Sequence, residues 1–164
     1  MKKHPFSLLI ILYIIGVGLD TYTTYLASPD LKFEDNFIVS QLNLKWTALI
    51  LMGSIITIVN ISIFLYAKNY FKGISINNIK SSIILFGIFG FYYHLIYSYL
   101  ITINNYLSYI YLYSKNSILY NISNTFISNR TYVFYIYLKI FIAILSLILL
   151  MKFRINNRTI QEKN

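Results

Sequence analysis

The run Gly16-Val17-Gly18-Leu19-Asp20-Thr21-Tyr22-Thr23-Thr24 decides how this chain is read. It sets a carboxylate near the end of a stretch, Pro5 to Ala27, that carries no other charge. An acid at the bilayer centre costs roughly 2.5–3.5 kcal/mol on insertion scales, so an intramembrane Asp is a functional candidate whose partner must be sought.

Working outward from Asp20, the whole composition is that of a membrane protein. Of 164 residues, 57% are apolar, 18% aromatic and 12% charged. A soluble domain carries about 25% charged residues, and apolar runs near twenty residues match the thickness of a bilayer. The absence of cysteine excludes disulfides, thiolate metal sites and cysteine nucleophiles. The net charge of +9 arises from 14 basic residues against five acids: Asp20, Asp30, Glu34, Asp35 and Glu162. The basic residues flank the apolar runs, which is the positive-inside pattern and argues against nucleic-acid binding.

Four spans are expected, at about 5–27, 46–67, 80–103 and 132–153. Ser28-Pro29-Asp30 stop the first, because proline disfavours helix at the residue before it. A cleaved signal peptide is the rival reading of that stretch, with Lys2 and Lys3, an apolar core from Phe6 to Val17 and small Gly16 and Gly18. The face shared by Gly16, Asp20 and Thr24 favours a helix that stays. Residues 104–131 are broken by Asn and Ser and read as an interfacial or re-entrant segment. The fold class is therefore all-α, an antiparallel four-helix transmembrane bundle forming a single membrane domain over residues 1–164.

Lys and Arg near the span ends give the orientation. Nine belong to the N-terminus, the second connection and the tail; four belong to the first and third connections. A multi-pass protein of the cell membrane with both termini cytoplasmic is expected.

Each span carries one small-or-polar stripe at helical spacing. These are Gly16, Asp20, Thr23, Thr24 and Ala27; Gly53, Thr57 and Asn60; Gly87, Gly90, His94 and Tyr97; and Tyr132, Tyr135, Lys139 and Ser146. In lipid such stripes face other helices. Counted from the outer span ends, Asp20, Lys139 and His94 lie ~9, ~10 and ~13 Å deep at the helical rise. An Asp20–Lys139 pair at one depth would relieve the burial of each charge, although Lys139 could instead snorkel outward. His94 beside them would be a neutral partner or a proton acceptor.

No cofactor is called for. A haem would need a second axial histidine, and His4 lies at the opposite interface. The acidic connection matches no calcium loop, so no metal is assigned. No nucleophile elbow, phosphate loop or kinase motif is present.

The pattern Asp20-x3-Thr24 followed by Glu34-x-Asn36 resembles a family of small prokaryotic integral membrane proteins of unknown function. Their first hairpin carries Asp-x3-Thr and then Glu-x-Asn-Pro; Phe37 stands here at the proline position. The resemblance covers about 20 residues. It implies that Glu34 and Asn36 belong with Asp20 and Thr24, the connection folding back over the outer mouth.

Two functions follow from these residues. One is a non-catalytic accessory, assembly or scaffold subunit in the lipid bilayer, meeting a partner membrane protein or its own copies. The other is an outward-facing polar pocket for a small or lipid-like ligand, or for protons or ions. Asp20, Thr24, Glu34, Asn36, His94 and Lys139 would form it. Enzyme activity is left open, since no motif supports it.

Overall fold

The computed structural model describes residues 5–31, 45–70, 79–116, 118–129 and 132–161. Among the described residues there are five helices and no strand: α1 (Pro5–Ala27), α2 (Trp46–Tyr70), α3 (Ile79–Tyr113), α4 (Tyr120–Ser128) and α5 (Tyr132–Gln161). Four of them, α1, α2, α3 and α5, are long and apolar enough to cross a membrane. A helix is the only open segment that satisfies every backbone group internally in lipid.

Helix α1 stops where the sequence says it must. The Ser28 amide still donates to the Thr24 carbonyl at 2.8 Å, and then Pro29 has no amide to give. The chain turns away through Leu31, whose φ of 58° lies in the left-handed region. Helix α2 begins after Lys45, whose carbonyl accepts from Ala48 and Leu49. The two ends are fastened together: the Trp46 indole N–H donates to the Pro29 carbonyl at 2.6 Å, and Tyr25 meets the Trp46 ring edge-on.

The bundle is built on α3. It packs against α1, α2, α4 and α5, whereas α1 and α2 touch each other only lightly. A third of the α3 span is buried (33%), compared with 6% for α2. Helices α1 and α3 run parallel: Tyr13 meets His94, Gly16 meets Ser98, and Thr24 meets Asn105. Helix α2 lies antiparallel to α3, with Ile63 against Gly87 and Asn60 near Gly90. The core is an aromatic stack drawn from three helices. Tyr13 lies on Phe91 at 4.7 Å between centroids, Phe91 lies on Phe64 at 4.1 Å, and Tyr92 stands edge-on to both phenylalanines. Leu149 and Leu150 of α5 close it from the remaining side.

The expected break at residue 104 is absent. Helix α3 runs unbroken to Tyr113, and at 35 residues it is about 52 Å long, against ~30 Å of hydrocarbon. The polar residues that read as breakers find partners. The Ser108 hydroxyl bonds back to the Asn104 carbonyl at 2.9 Å, and Asn105 reaches across to α1. The short piece is α4 alone, which packs onto the projecting end of α3 through Tyr120 stacked on Tyr111. Ser123 is fully buried there.

Close approach of α1 to α3 depends on Gly16. A Cβ at that position would lie 2.7 Å from Ser98 Oγ and 2.9 Å from the Tyr99 ring. Gly53, by contrast, has open space around it. Gly16→Val is expected to destabilise the bundle by about 1–3 kcal/mol through overpacking. Gly53→Ala should be neutral or stabilising by up to ~1 kcal/mol through helix propensity. Unfolding of each variant in mixed micelles measures both.

Candidate functional site

The polar side chains of the spans gather into two clusters along the seam between α1 and α3. The lower one joins three helices. The Tyr13 hydroxyl lies 2.8 Å from His94 Nδ1, and Asn60 Nδ2 donates to the same hydroxyl at 2.9 Å. Tyr13 is wholly buried; His94 and Asn60 are half-buried. A tyrosine hydroxyl has one proton to donate and can also accept. The Tyr13 hydroxyl, with one proton and two lone pairs, accepts from Asn60 and also bonds His94 Nδ1, as donor or acceptor according to the imidazole tautomer. One turn before Asn60, the buried Thr57 hydroxyl also approaches the Tyr13 hydroxyl.

The upper cluster lies about 10 Å further along α1, seven residues from Tyr13 to Asp20. Asn105 Nδ2 donates to Thr24 Oγ1 at 2.9 Å and approaches Asp20 Oδ1 at 3.4 Å; Thr24 Oγ1 lies 3.5 Å from the same carboxylate oxygen. The short Thr24–Asn105 bond is the strong one, and the two contacts to Asp20 are at the weak end of the range. Between the clusters, the Tyr99 hydroxyl donates to the Leu12 carbonyl at 2.8 Å. Tyr22, Tyr25, Trp46 and Tyr106 occupy the level of the upper cluster, the aromatic pattern found at a membrane–water interface.

The candidate residues are thus distributed differently from the single pocket expected. Asp20 and Thr24 are together. His94 belongs to the other cluster and bonds Tyr13. Lys139 is exposed on α5, whose main packing partner is α3. The reason is architectural: α1 and α5 each pack chiefly on α3. Glu34 and Asn36 lie outside the described residues.

The residues missed from sequence are Tyr13 and Asn105. Asn105 had a signal, since Ser98 and Thr102 extend the His94 stripe to it at helical steps. Tyr13 had none, being one tyrosine among 17. Other hydroxyls are satisfied within their own helices: Thr21 on Val17, Thr23 on Leu19, Ser98 on Leu95 and Ser146 on Ile142. This back-bonding commits their hydroxyl protons within their own helices. Among the described residues no group of three or more His, Asp or Glu is placed to hold a metal. None of the six candidate residues lines the open groove between α1 and α2.

No protein-family model, curated protein or solved structure matches the chain.

A double-mutant cycle separates the pairs. Tyr13→Phe with Asn60→Ala should couple by about 0.6 kcal/mol, the average for interhelical hydrogen bonds in lipid, and by no more than ~1.7 kcal/mol. Asp20→Asn with Lys139→Met should add within ~0.5 kcal/mol. Coupling between Asp20 and Lys139 above that level would restore the ion pair.

Proposed function

We propose that the protein is a small non-catalytic integral membrane protein, an accessory, assembly or scaffold subunit of a membrane complex. The observation that carries this reading is the mutual satisfaction of the polar side chains at the seam. The Tyr13 hydroxyl bonds both Asn60 and His94, and Asn105 bonds Thr24, so these groups serve to lock helices in register. A catalytic or transport site would keep such groups facing a cavity.

The outer faces support the same reading. Helix α2 is buried over only 6% of its span and α5 over 11%, leaving broad apolar surfaces for lipid and partner helices. Leu51 and Ile58 on α2, and Tyr137 on α5, are each more than 60% exposed. The basic flanks favour the cell membrane with both termini cytoplasmic.

Purification in mild detergent tests the assignment. A stoichiometric protein partner or a defined homo-oligomer is expected, and Asp20→Asn, which keeps a hydrogen-bonding side chain, should leave that assembly intact. A lone protomer that retains a small molecule, and loses it on Asp20→Asn, would replace this reading with the ligand pocket. Orientation is read separately, because a cysteine-free chain reports cleanly on single introduced cysteines. Lys115→Cys should label from outside intact cells and Lys152→Cys only after permeabilisation.

A further inference from the structure

Thr57 departs from the habit of the other hydroxyls in the spans. Thr21, Thr23, Ser98 and Ser146 each donate to a carbonyl of their own helix. The Thr57 hydroxyl is buried, makes no such bond, and approaches the Tyr13 hydroxyl instead. The Tyr13 oxygen therefore has three polar neighbours on two other helices. Asn60 Nδ2 lies at 2.9 Å and Thr57 beside it on α2, and His94 Nδ1 lies at 2.8 Å on α3.

Donor and acceptor counting allows this cluster two complete patterns. Asn60 Nδ2 can only donate, so it occupies one Tyr13 lone pair in both. With His94 Nδ1 bare, Tyr13 donates to it and takes its second incoming bond from Thr57. With a proton on Nδ1, His94 donates to Tyr13, and the Tyr13 hydrogen turns to Thr57 Oγ1. The Thr57 hydrogen then falls back on the Gly53 carbonyl, four residues earlier, as that of Thr21 does on Val17. An imidazolium carries protons on both nitrogens, so a charged ring fits the second pattern without orphaning a buried donor.

The surroundings suit such a site. His94 is half-buried and shares its α3 face with Gly87, Gly90 and Ser98, which meet α2 and α1. From α1 it faces Tyr13, with Asp20 about 10 Å further along the helix. From α2 it faces Asn60 and Thr57, neither of which titrates. Tyr93 and Tyr97 flank it on α3, and α5 brings Leu149 and Leu150 to the core while its Lys139 is exposed.

We propose that His94 is a reversible proton-binding site, and that Tyr13 passes its charge state to α2 by reversing the hydrogen-bond chain between Thr57 and His94. The inference goes beyond the subunit reading and does not depend on which partner is found. It makes the three-helix lock responsive to pH.

The chain has two histidines, so His4→Gln leaves one imidazole to follow by its ring NMR signals in micelles. His94 should titrate reversibly while helical circular dichroism persists. Thr57→Val removes an acceptor that only the charged pattern needs, because the other pattern loses just a second donor to Tyr13. The proton affinity of His94 should fall about threefold, the worth of one interhelical hydrogen bond in lipid. Thr57→Ser keeps the hydroxyl and should keep the native affinity. In a Tyr13→Phe background, Thr57→Val should change nothing. An imidazole that stays neutral at every pH at which the helices persist would overturn the proposal, as would an unchanged affinity in Thr57→Val or an equal fall in Thr57→Ser. An effect of Thr57→Val that survives in Tyr13→Phe would also overturn it, since the chain would not run through Tyr13. Should Thr57→Val lose its helices, Thr57→Ala takes its place, with the same expected and contradicting results.

Discussion

Everything in this molecule depends on α1 lying parallel to α3 in one register. Three cross-helix contacts define that register along the seam: Tyr13 to His94, Tyr99 to the Leu12 carbonyl, and Thr24 to Asn105. Gly16 lets the backbones come close enough for all three. In lipid there is no hydrophobic drive bringing helices together, so close van der Waals packing and interhelical hydrogen bonds must do so. Both are concentrated here. Helix α2 then joins the same core through Asn60 and the Phe64–Phe91 stack, and α5 covers α3 from the other side.

The hub arrangement also explains how an acid is tolerated in the first span. Asp20 stands at the level of Tyr22, Tyr25 and Trp46, aromatic residues of the kind that favour a membrane–water interface, where a charge costs less than at the bilayer centre. Thr24 on its own helix and Asn105 from α3 add polar company.

The spans were legible from hydrophobic length, and helical spacing found part of the stripes, although Gly53 meets open space and Lys139 is exposed. Gly16 and Gly87 were found in this way, and both mark close helix contacts. What sequence could not supply was the order of helices around the bundle. Depth alone made Asp20, His94 and Lys139 look like neighbours, but depth says nothing about which helix separates two others. The Asn104-Asn105 pair failed for a related reason: local polarity reads as a break until a partner on α1 is known to accept the hydrogen bond. Asn60 was placed on the right face, whereas Tyr13 was hidden by its resemblance to every other aromatic residue.

The parallel register of α1 on α3 is tested most directly by thiol crosslinking in the membrane, for which the cysteine-free chain is already suited. Thr24→Cys combined with Asn105→Cys should be joined rapidly by a short bifunctional methanethiosulfonate. Thr24→Cys combined with Lys139→Cys should remain unjoined. Equal or preferential crosslinking of the Thr24–Lys139 pair would place α5 against α1 and contradict the account.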